Sequence, residues 1–279
     1  MYDRCVLITN GNLLSLIALA DWLRLYKDRI RKIYVTRTLP SQKSNIIGIV
    51  RMLRDSGWDY TWLKIWTNKI APILLRLKHY HSDIKSYIKM LKYACPLQEV
   101  KSVNEEKIVK EIKSLNIQLL ISFSATQKFC DDLINSPTVG SINIHYGNLP
   151  AYAGLSPYFW YLYNRERYYG VTLHKITSKL DAGSIIDQVN RRIGNIRSVL
   201  ELQIRMASEV SPLLIRFFQG TTALTKTTEQ DQNLRSYFRH PTKEQVRHLK
   251  SNGYILIDST SRKKVYNELK RVLFQNDAV

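Results

Sequence analysis

Apolar runs and helix-spaced apolar positions divide the first four fifths of the chain into short buried strands and longer helices. Residues 5–9 form an apolar run that stops at Asn10-Gly11-Asn12, and apolar residues then recur at helical spacing from 13 to 26. This pattern is typical of a strand of a parallel sheet, a turn and the helix that packs on the sheet. The same reading predicts strands at 31–36, 118–123, 142–145, 170–174 and 184–188, a loop at 37–40, and helices at 46–56, 157–163 and 198–218.

Two stretches between these elements have a mixed pattern. Residues 58–62 read Trp-Asp-Tyr-Thr-Trp after Gly57 and predict a strand. Residues 71–93 predict a basic helix, with leucine and isoleucine among many lysines. Three interpretations of this helix remain open: a solvated helix on the core, a lid over the substrate, and an interfacial helix on anionic lipid.

The last fifth of the chain has a different character. Residues 221–233 are rich in threonine and glutamine, which predicts a linker or surface loop. We therefore divide the chain into a main domain at 1–220, a linker at 221–235 and a small C-terminal α/β segment at 236–279. That segment is expected to contain a helix capped by Thr242 with Gln245 as its partner, a strand at 254–258 and a helix at 259–275. The expected fold is a doubly wound, mostly parallel, Rossmann-like α/β sheet with this appendage.

Composition narrows the class of partner. The 279 residues carry 42 Lys and Arg against 23 Asp and Glu, a net charge of +19. This charge indicates a nucleotide-linked substrate, a nucleic acid or a lipid surface, with a solvated basic surface as the alternative. Three separated cysteines suggest neither a disulfide framework nor a zinc site. The sequence shows no long apolar run and no signal-peptide layout, so we expect a cytoplasmic protein.

Three polar residues are candidates for chemistry. Asn143 and His145 alternate with isoleucines, so their side chains share one strand face. Asp181 stands just before Ala182-Gly183, where glycine permits a tight turn that aims the carboxylate back toward the strand. We therefore expect an amide, an imidazole and a carboxylate to converge at one point.

Further motifs surround these residues in a fixed order. They are Asn143-x-His145-x-x-x-Leu149-Pro150, Tyr152, Gly154, Pro157, Trp160, Gly-Val-Thr-Leu-His174 and Asp181-Ala-Gly-x-Ile-Ile. This order resembles the folate-dependent formyltransferases, a family that includes methionyl-tRNA, glycinamide-ribotide and nucleotide-sugar N-formyltransferases. The resemblance is continuous from 112 to 188 and looser from 6 to 40, and a sugar N-formyltransferase is the member we expect. Matched position by position, the family's catalytic residues fall on Asn143, His145 and Asp181.

The resemblance implies the formyltransferase fold, 10-formyltetrahydrofolate as co-substrate and no metal. The wall that clasps the pterin ring is matched by Phe123, Ser124, Ala125, Thr126, Phe129 and Lys179. Contacts to the amine substrate are assigned to Thr9, Asn10, Gly11, Asn12 and Tyr152. A strand-turn-helix junction suits this task because its backbone N–H groups favour an anion. Where the family shows Tyr-Arg-Gly, this chain has Ala153 in the middle, which weakens any transfer of substrate preference.

The chemistry implied is formyl transfer to an amine. Asn143 and His145 would donate hydrogen bonds to the oxyanion that develops on the formyl oxygen, and Asp181 would accept a proton from the amine. His174 is interpreted as a structural residue.

The acceptor stays open. An anionic, nucleotide-linked amino sugar is the first hypothesis, because the chain is basic and the segment after the linker is too short and helical for a tRNA-binding barrel. The alternatives are methionyl-tRNA, another small amine, hydrolysis to formate, and a non-catalytic basic binding protein of the same fold. A weak contact with a membrane surface and a homodimer are further partners considered.

Overall fold

The structure is a computed structural model that describes residues 2–36, 45–78, 80–91 and 95–274. Its strands are β1 (Cys5–Thr9), β2 (Ile30–Thr36), β3 (Leu97–Val100), β4 (Leu119–Phe123), β5 (Gly140–His145), β6 (Ala153–Gly154), β7 (Tyr168–Lys175), β8 (Ile185–Arg192) and β9 (Tyr237–Phe238). Its α-helices are α1 (Leu13–Tyr26), α2 (Asn45–Ile65), α3 (Ala71–Leu77), α4 (Ile84–Met90), α5 (Glu106–Ser114), α6 (Asp131–Ile134), α7 (Pro157–Tyr163), α8 (Val199–Ser208), α9 (Val210–Phe218), α10 (Lys243–Ser251) and α11 (Ser259–Phe274).

Seven strands form one sheet in the order β3-β2-β1-β4-β5-β7-β8. The five strands from β3 to β5 in this order run parallel, β7 pairs antiparallel with β5, and β8 pairs antiparallel with β7. From β1 the chain first adds β2 and β3 on one side and then returns to add β4 and β5 on the other side of β1, which is the arrangement of a doubly wound sheet. The predicted mostly parallel, Rossmann-like α/β fold is confirmed.

The sheet separates two apolar cores. Along β1, Cys5 and Leu7 point into the larger core, while Val6 and Ile8 point into the smaller one. Successive side chains of a strand face opposite sides, so a strand covered on both faces is apolar at every position. This explains why the first apolar run contains no polar interruption, and its predicted bounds and those of α1 agree with the structure.

The strand predicted at 58–62 is wrong, because α2 runs through it. Gly57, at φ 77°, is not helical and divides α2 at a kink into two helical parts, so the helix predicted at 46–56 ends where expected and a second helical part follows it. The aromatic residues repeat at four-residue spacing, which stacks the rings of Trp58 and Trp62 with centroids 5.9 Å apart. Tyr60 and Leu63 face the core instead. The alternation that suggested a strand therefore came from aromatic residues on two different faces of a helix, seen over too short a window.

The basic stretch 71–93 contains two helices and not one. Helix α3 ends at Leu77, and α4 begins after Asp83, whose carboxylate accepts a hydrogen bond from the backbone N–H of Ser86 at 2.8 Å. This carboxylate caps a new helix and so interrupts the pattern. Residue 79, residues 92–94 and the loop predicted at 37–40 lie outside the described residues.

The end of the chain returns to the main body. The strand predicted at 254–258 is wrong, since this stretch has only an isolated bridge from Ile255 to Ser198 while Leu256 fills the core. The capping box of Thr242 and Gln245 is present as predicted. The single helix expected at 198–218 is divided into α8 and α9. Among the described residues, no helix has the length and apolar character needed to cross a bilayer.

Candidate active site

Strand register brings Asn143 and His174 together. In the antiparallel pair of β5 and β7, Asn143 lies opposite His174 and His145 lies opposite Thr172. Side chains of directly opposed residues are in contact range. The Asn143 Nδ2 atom accordingly lies 3.1 Å from His174 Nε2. His174, interpreted from sequence as structural, is therefore a neighbour of the predicted catalytic residues.

The orientation of His174 follows from its second contact. Its Nδ1 atom lies 2.8 Å from the backbone carbonyl oxygen of Lys175, which can only accept, so Nδ1 carries the proton. The Nε2 lone pair then accepts a hydrogen bond from the Asn143 amide. This bond fixes which end of the amide is nitrogen and leaves its second N–H available to a ligand.

The His145 ring is held between a backbone carbonyl and Asp181. Its Nε2 atom lies 2.8 Å from the carbonyl oxygen of Tyr152, and its Nδ1 atom lies 3.6 Å from Asp181 Oδ1. Gly147 makes this contact possible, because a Cβ there would lie 2.2 Å from that same carbonyl oxygen and 2.6 Å from His145 Nε2. His145 as a whole residue is 8% exposed. One ring nitrogen is thus committed to the backbone, and the other faces the carboxylate.

Asp181 is aimed by an unusual backbone conformation and by a contact across the chain. Its own φ is +50°, a left-handed conformation that aspartate tolerates better than most residues. Its Oδ2 atom accepts a hydrogen bond from the Gly154 backbone N–H at 2.9 Å. Gly183 contributes space: a Cβ there would lie 2.0 Å from the Lys175 carbonyl oxygen. The predicted importance of glycine after Asp181 thus has a steric cause, and the positive φ belongs to the aspartate.

The charges of the site are set by burial and by mutual contact. Burial by itself would raise the pKa of Asp181, but His145, His174 and the Gly154 N–H outweigh it and hold that pKa below its usual value. Burial lowers the pKa of His174 from 6.5 to about 4, although Asp181, 3.9 Å from Nε2, acts in the opposite direction. Near neutral pH the site therefore holds a carboxylate and a neutral His174.

A cavity of about 90 Å³ opens beside these groups. Its wall includes Asn143, His174 and Asp181, together with Ala125, Phe129 and Lys179 from the predicted pterin site. His145 lies behind Asp181 and does not line it. The aromatic ring, the apolar side chains and the few polar groups of this wall are chemically suited to binding a flat heterocycle. The cavity is small beside the several hundred Å³ of ordinary cofactor pockets.

The other predicted pterin contacts do not line the cavity, although they adjoin residues that do. Phe123 is 1% exposed and packs edge to face on Tyr146, 5.4 Å between ring centroids. Ser124 adopts a φ of +53°, where the chain leaves β4. The Thr126 hydroxyl is buried and has no hydrogen-bond partner among the described residues, so it is the polar group here that a ligand would satisfy.

In the turn after β1, which was predicted to contact the substrate, the polar side chains form hydrogen bonds with neighbouring residues of the same segment. The Asn12 side chain caps α1 by accepting from the Ser15 N–H at 3.0 Å. Asn10 Oδ1 accepts from the Asn12 N–H and the Ser15 hydroxyl. Thr9 Oγ1 accepts from the Gly11 N–H at 3.2 Å. These bonds explain the polar residues of the turn without a ligand.

The Tyr152 side chain also turns away from the three catalytic candidates. Its ring stacks on Tyr161 and Phe238 at 4.1 Å and 5.3 Å between centroids, and its hydroxyl donates to Glu166. Only its backbone carbonyl takes part in the site, through His145.

Two residues of the predicted linker approach Asp181 and were not anticipated. The Gln230 amide nitrogen donates to the carbonyl oxygens of Asp181 and Gly183 at 3.1 Å and 2.7 Å. Arg235 donates to the Leu180 carbonyl oxygen at 2.7 Å, and its charge helps to lower the pKa of Asp181. The signal in the sequence is slight, since nothing near Gln230 or Arg235 resembles a strand or helix.

No group of three or more His, Cys, Asp and Glu side chains is arranged as metal ligands in the part of the chain that the structure describes.

The fold and this site define an α/β protein with a buried carboxylate, an amide donor and two imidazoles at one sheet edge. Residues 37–217 match the family described as formyl transferase, and the chain belongs to that family. The bifunctional polymyxin resistance protein ArnA of Wigglesworthia glossinidia brevipalpis is 36% identical over 116 residues, or 42% of this chain. Those residues make up 17% of the length of ArnA.

Solved structures with similar folds include several formyltransferases. WlaRD, a sugar 3N-formyl transferase crystallised with dTDP and 5-N-formyl-THF, has a TM-score of 0.53 and 16% identity, covering 93% of this chain and 84% of its own. The N-formyltransferase of Helicobacter canadensis, in complex with folinic acid and dTDP-3-aminofucose, has a TM-score of 0.54 and 16% identity. The match covers 93% of this chain and 85% of its own. Glycinamide ribonucleotide transformylase 1 of Symbiobacterium toebii has a TM-score of 0.54 and 15% identity, and the match covers 82% of this chain and 95% of its own. These similarities show the fold.

Proposed function

We propose that this protein transfers a formyl group from 10-formyltetrahydrofolate to the amino group of a nucleotide-linked amino sugar. The observation that carries the proposal is the convergence of Asn143, His145 and Asp181, from two separate parts of the chain, at one sheet edge. An anionic carboxylate beside an amide donor is what a formyl transfer to an amine needs: a proton acceptor and a group that stabilises a developing oxyanion.

The folate would supply the formyl group and would be held by Ala125, Phe129 and Lys179, with the Thr126 hydroxyl as a further polar partner. The free N–H of Asn143 then donates to the formyl oxygen as negative charge develops there. His174 keeps that N–H pointed outward because it binds the other one. The amide is thus preorganised, which is how such donors lower a barrier most effectively.

Asp181 removes the proton that the attacking amine must lose. Its lowered pKa keeps it ionised at neutral pH and ready to accept. The proton can rest on His145, whose Nδ1 atom lies 3.6 Å from Asp181 Oδ1. It would then return through Asp181 to the folate nitrogen as the bond from that nitrogen to the formyl carbon breaks, so that tetrahydrofolate leaves as a neutral amine. The carbonyl of Tyr152 holds the opposite ring nitrogen of His145 as a donor, so protonation at Nδ1 gives an imidazolium beside a carboxylate. His145 therefore serves the proton path, and Asn143 alone serves the oxyanion in this arrangement.

A second, larger pocket supports a nucleotide-linked acceptor. It has a volume of about 470 Å³ and is lined by Leu155, Tyr237, Arg239 and His240, among others. It adjoins the catalytic groups, because Gly154, which binds Asp181, precedes Leu155 and pairs with Phe238 in the small β6–β9 sheet. An exposed tyrosine ring with nearby guanidinium groups suits a base and its phosphates. Two of the similar solved structures contain dTDP or a dTDP-linked sugar, which supports the same class.

The proposal is tested by measuring 10-formyltetrahydrofolate consumption with a panel of acceptors. The panel contains dTDP- and UDP-linked amino sugars, the matching free amino sugars and charged initiator tRNA. We expect turnover with a nucleotide-linked amino sugar and at least about a hundredfold lower kcat/KM with its free sugar, since the nucleotide supplies binding energy. Preferred formylation of tRNA, or formate release without an acceptor, would contradict the proposal.

A further inference from the structure

Helix α3 has an apolar face toward solvent as well as one toward the core. Ala71 and Leu75 are buried, whereas Ile73, Leu74 and Leu77 are 56%, 50% and 73% exposed. At 3.6 residues per turn, these three exposed side chains lie together on the outer side of the helix. A surface helix of a protein with no partner normally presents polar residues there, so this outer face requires an explanation.

Positive charge flanks the three apolar side chains on both sides. Arg76 lies along one flank and Lys78, the C-cap residue of α3, on the other, while Lys69 lies in the helical turn that precedes α3. Arg76 also binds Asp83, which neutralises a neighbouring carboxylate. An apolar strip between two rows of cations is the pattern of a helix that lies in the headgroup region of an anionic bilayer.

The end of α11 extends this surface. The Nζ atoms of Lys78 and Lys270 lie 5.3 Å and 4.8 Å from the centroid of the Tyr266 ring, in cation–π contacts. The Tyr266 hydroxyl oxygen lies 2.9 Å from that of Tyr80. Tyr80 in turn contacts Phe274, which is 64% exposed. Two separate parts of the chain therefore present the same combination of exposed apolar side chains and lysines. The net charge of +19 adds a long-range attraction between the whole protein and any anionic surface.

We propose that the outer face of α3, with Phe274 beside it, binds reversibly to anionic phospholipid membranes. A second copy of the chain is a poor occupant, because two-fold pairing of this face would bring lysines against lysines. A nucleic acid would use the cations but gains little from three adjacent aliphatic side chains. The face lies at the sheet edge that carries the candidate active site, since Asn68, just before α3, binds Asn12 and Ile84, which begins α4, binds the Gly11 carbonyl oxygen.

The test is co-sedimentation of the full chain with vesicles of phosphatidylcholine alone and of an equimolar mixture with phosphatidylglycerol. We expect binding to the mixed vesicles only, weakened by salt. The variant L74Q/L77Q should bind at least about tenfold more weakly, because it removes the apolar insertion. The matched control L25Q/V139Q changes two exposed apolar residues on other elements and should bind like the wild type.

Formyl transfer in solution separates this proposal from the proposed function. L74Q/L77Q should keep its circular dichroism spectrum and its solution activity, since α3 supplies none of the catalytic groups. Equal binding of wild type and L74Q/L77Q to mixed vesicles would overturn the proposal. So would wild-type binding that does not depend on phosphatidylglycerol, or a preference for polynucleotide that L74Q/L77Q leaves unchanged.

Discussion

Polar side chains follow strands β1 and β5 in this protein, but they are used differently. After β1, the side-chain oxygens of Thr9, Asn10 and Asn12 accept hydrogen bonds from groups within five residues and close the turn that starts α1, while the Asn12 amide nitrogen also donates to Asn68. On β5, Asn143 and His145 contact groups on other segments, including His174 and Asp181. The first group stabilises the local chain, and the second assembles a site from distant parts of it.

The difference shows how to weigh polar residues at the carboxyl end of a strand. Asparagine, threonine and serine that follow a strand often satisfy the backbone of the next helix, and this use needs no ligand. Side chains that reach across the sheet and keep a carboxylate buried have no such local explanation. The predictions below use this distinction, beginning with the largest expected effect.

Asp181→Asn should lower kcat by roughly a thousandfold, within the range for loss of a general base. The amide keeps an oxygen for the Gly154 N–H, so the loop should hold its shape. Steady-state rates at neutral pH measure the effect, with the exposed Asp132→Asn as control. An Asp181→Asn rate within about tenfold of the wild type would show that another group takes the proton.

Asn143→Ala should lower kcat by roughly a hundredfold or more, since it removes the oxyanion donor. KM for the folate should change little, because the lost interaction forms mainly in the transition state. The control is Asn190→Ala, an exposed asparagine on β8. A rise in KM with unchanged kcat would instead assign Asn143 to ground-state binding.

His174→Phe should lower kcat by about tenfold, because the Asn143 amide loses a hydrogen bond worth about 1 kcal/mol and turns more freely. His174→Gln, which can accept from the amide, should restore part of the rate. The comparison of the two variants is the measurement, since a purely structural His174 would give equal losses.

Acid should destabilise the protein through His174. Its pKa is about 4 when folded and 6.5 when unfolded, so the unfolded chain binds the proton first as pH falls. The stability due to the neutral ring is present above pH 6.5 and is lost between 6.5 and about 4. The free energy of unfolding should fall by roughly 3 kcal/mol across this window. Urea unfolding of wild type and His174→Gln measures it, and equal pH dependence in both would contradict the assignment.

Asn12→Ala should produce the smallest effect on activity. It removes the cap of α1, so the free energy of unfolding should fall by about 1 kcal/mol. The KM for the amine acceptor should change by less than about twofold, because the Asn12 side chain already serves Ser15. Urea unfolding and acceptor kinetics give the two values. A large rise in acceptor KM would mean that the turn binds substrate as the resemblance implies.

Much of the fold was predictable because its signals are local. The run that forms β1, the helical spacing of α1 and the Thr242 capping box each lie within a few residues of sequence. The helical part that follows Gly57 and the short bridge at Ile255 were missed, since both depend on tertiary packing of residues that fit either a helix or a strand alone.

The candidate site divides in the same way. Alternation along β5 predicts that Asn143 and His145 share a face, but only the resemblance joined Asp181 to them. The pairing of Asn143 with His174 depends on the register of β5 and β7, which the sequence alone does not specify. The approach of Gln230 and Arg235 depends on the path of an irregular segment.

The central claim is that Asp181 and Asn143 act on a formyl group passing from folate to an amine. The most direct measurement is a single-turnover experiment, followed by NMR, with 10-formyltetrahydrofolate labelled with carbon-13 in the formyl group and the nucleotide-linked amino sugar that the acceptor panel selects. We predict that the wild type moves the label onto the sugar amine, while Asp181→Asn leaves it on the folate over the same time. Equal transfer by both proteins, or label released as formate by the wild type, would contradict the account.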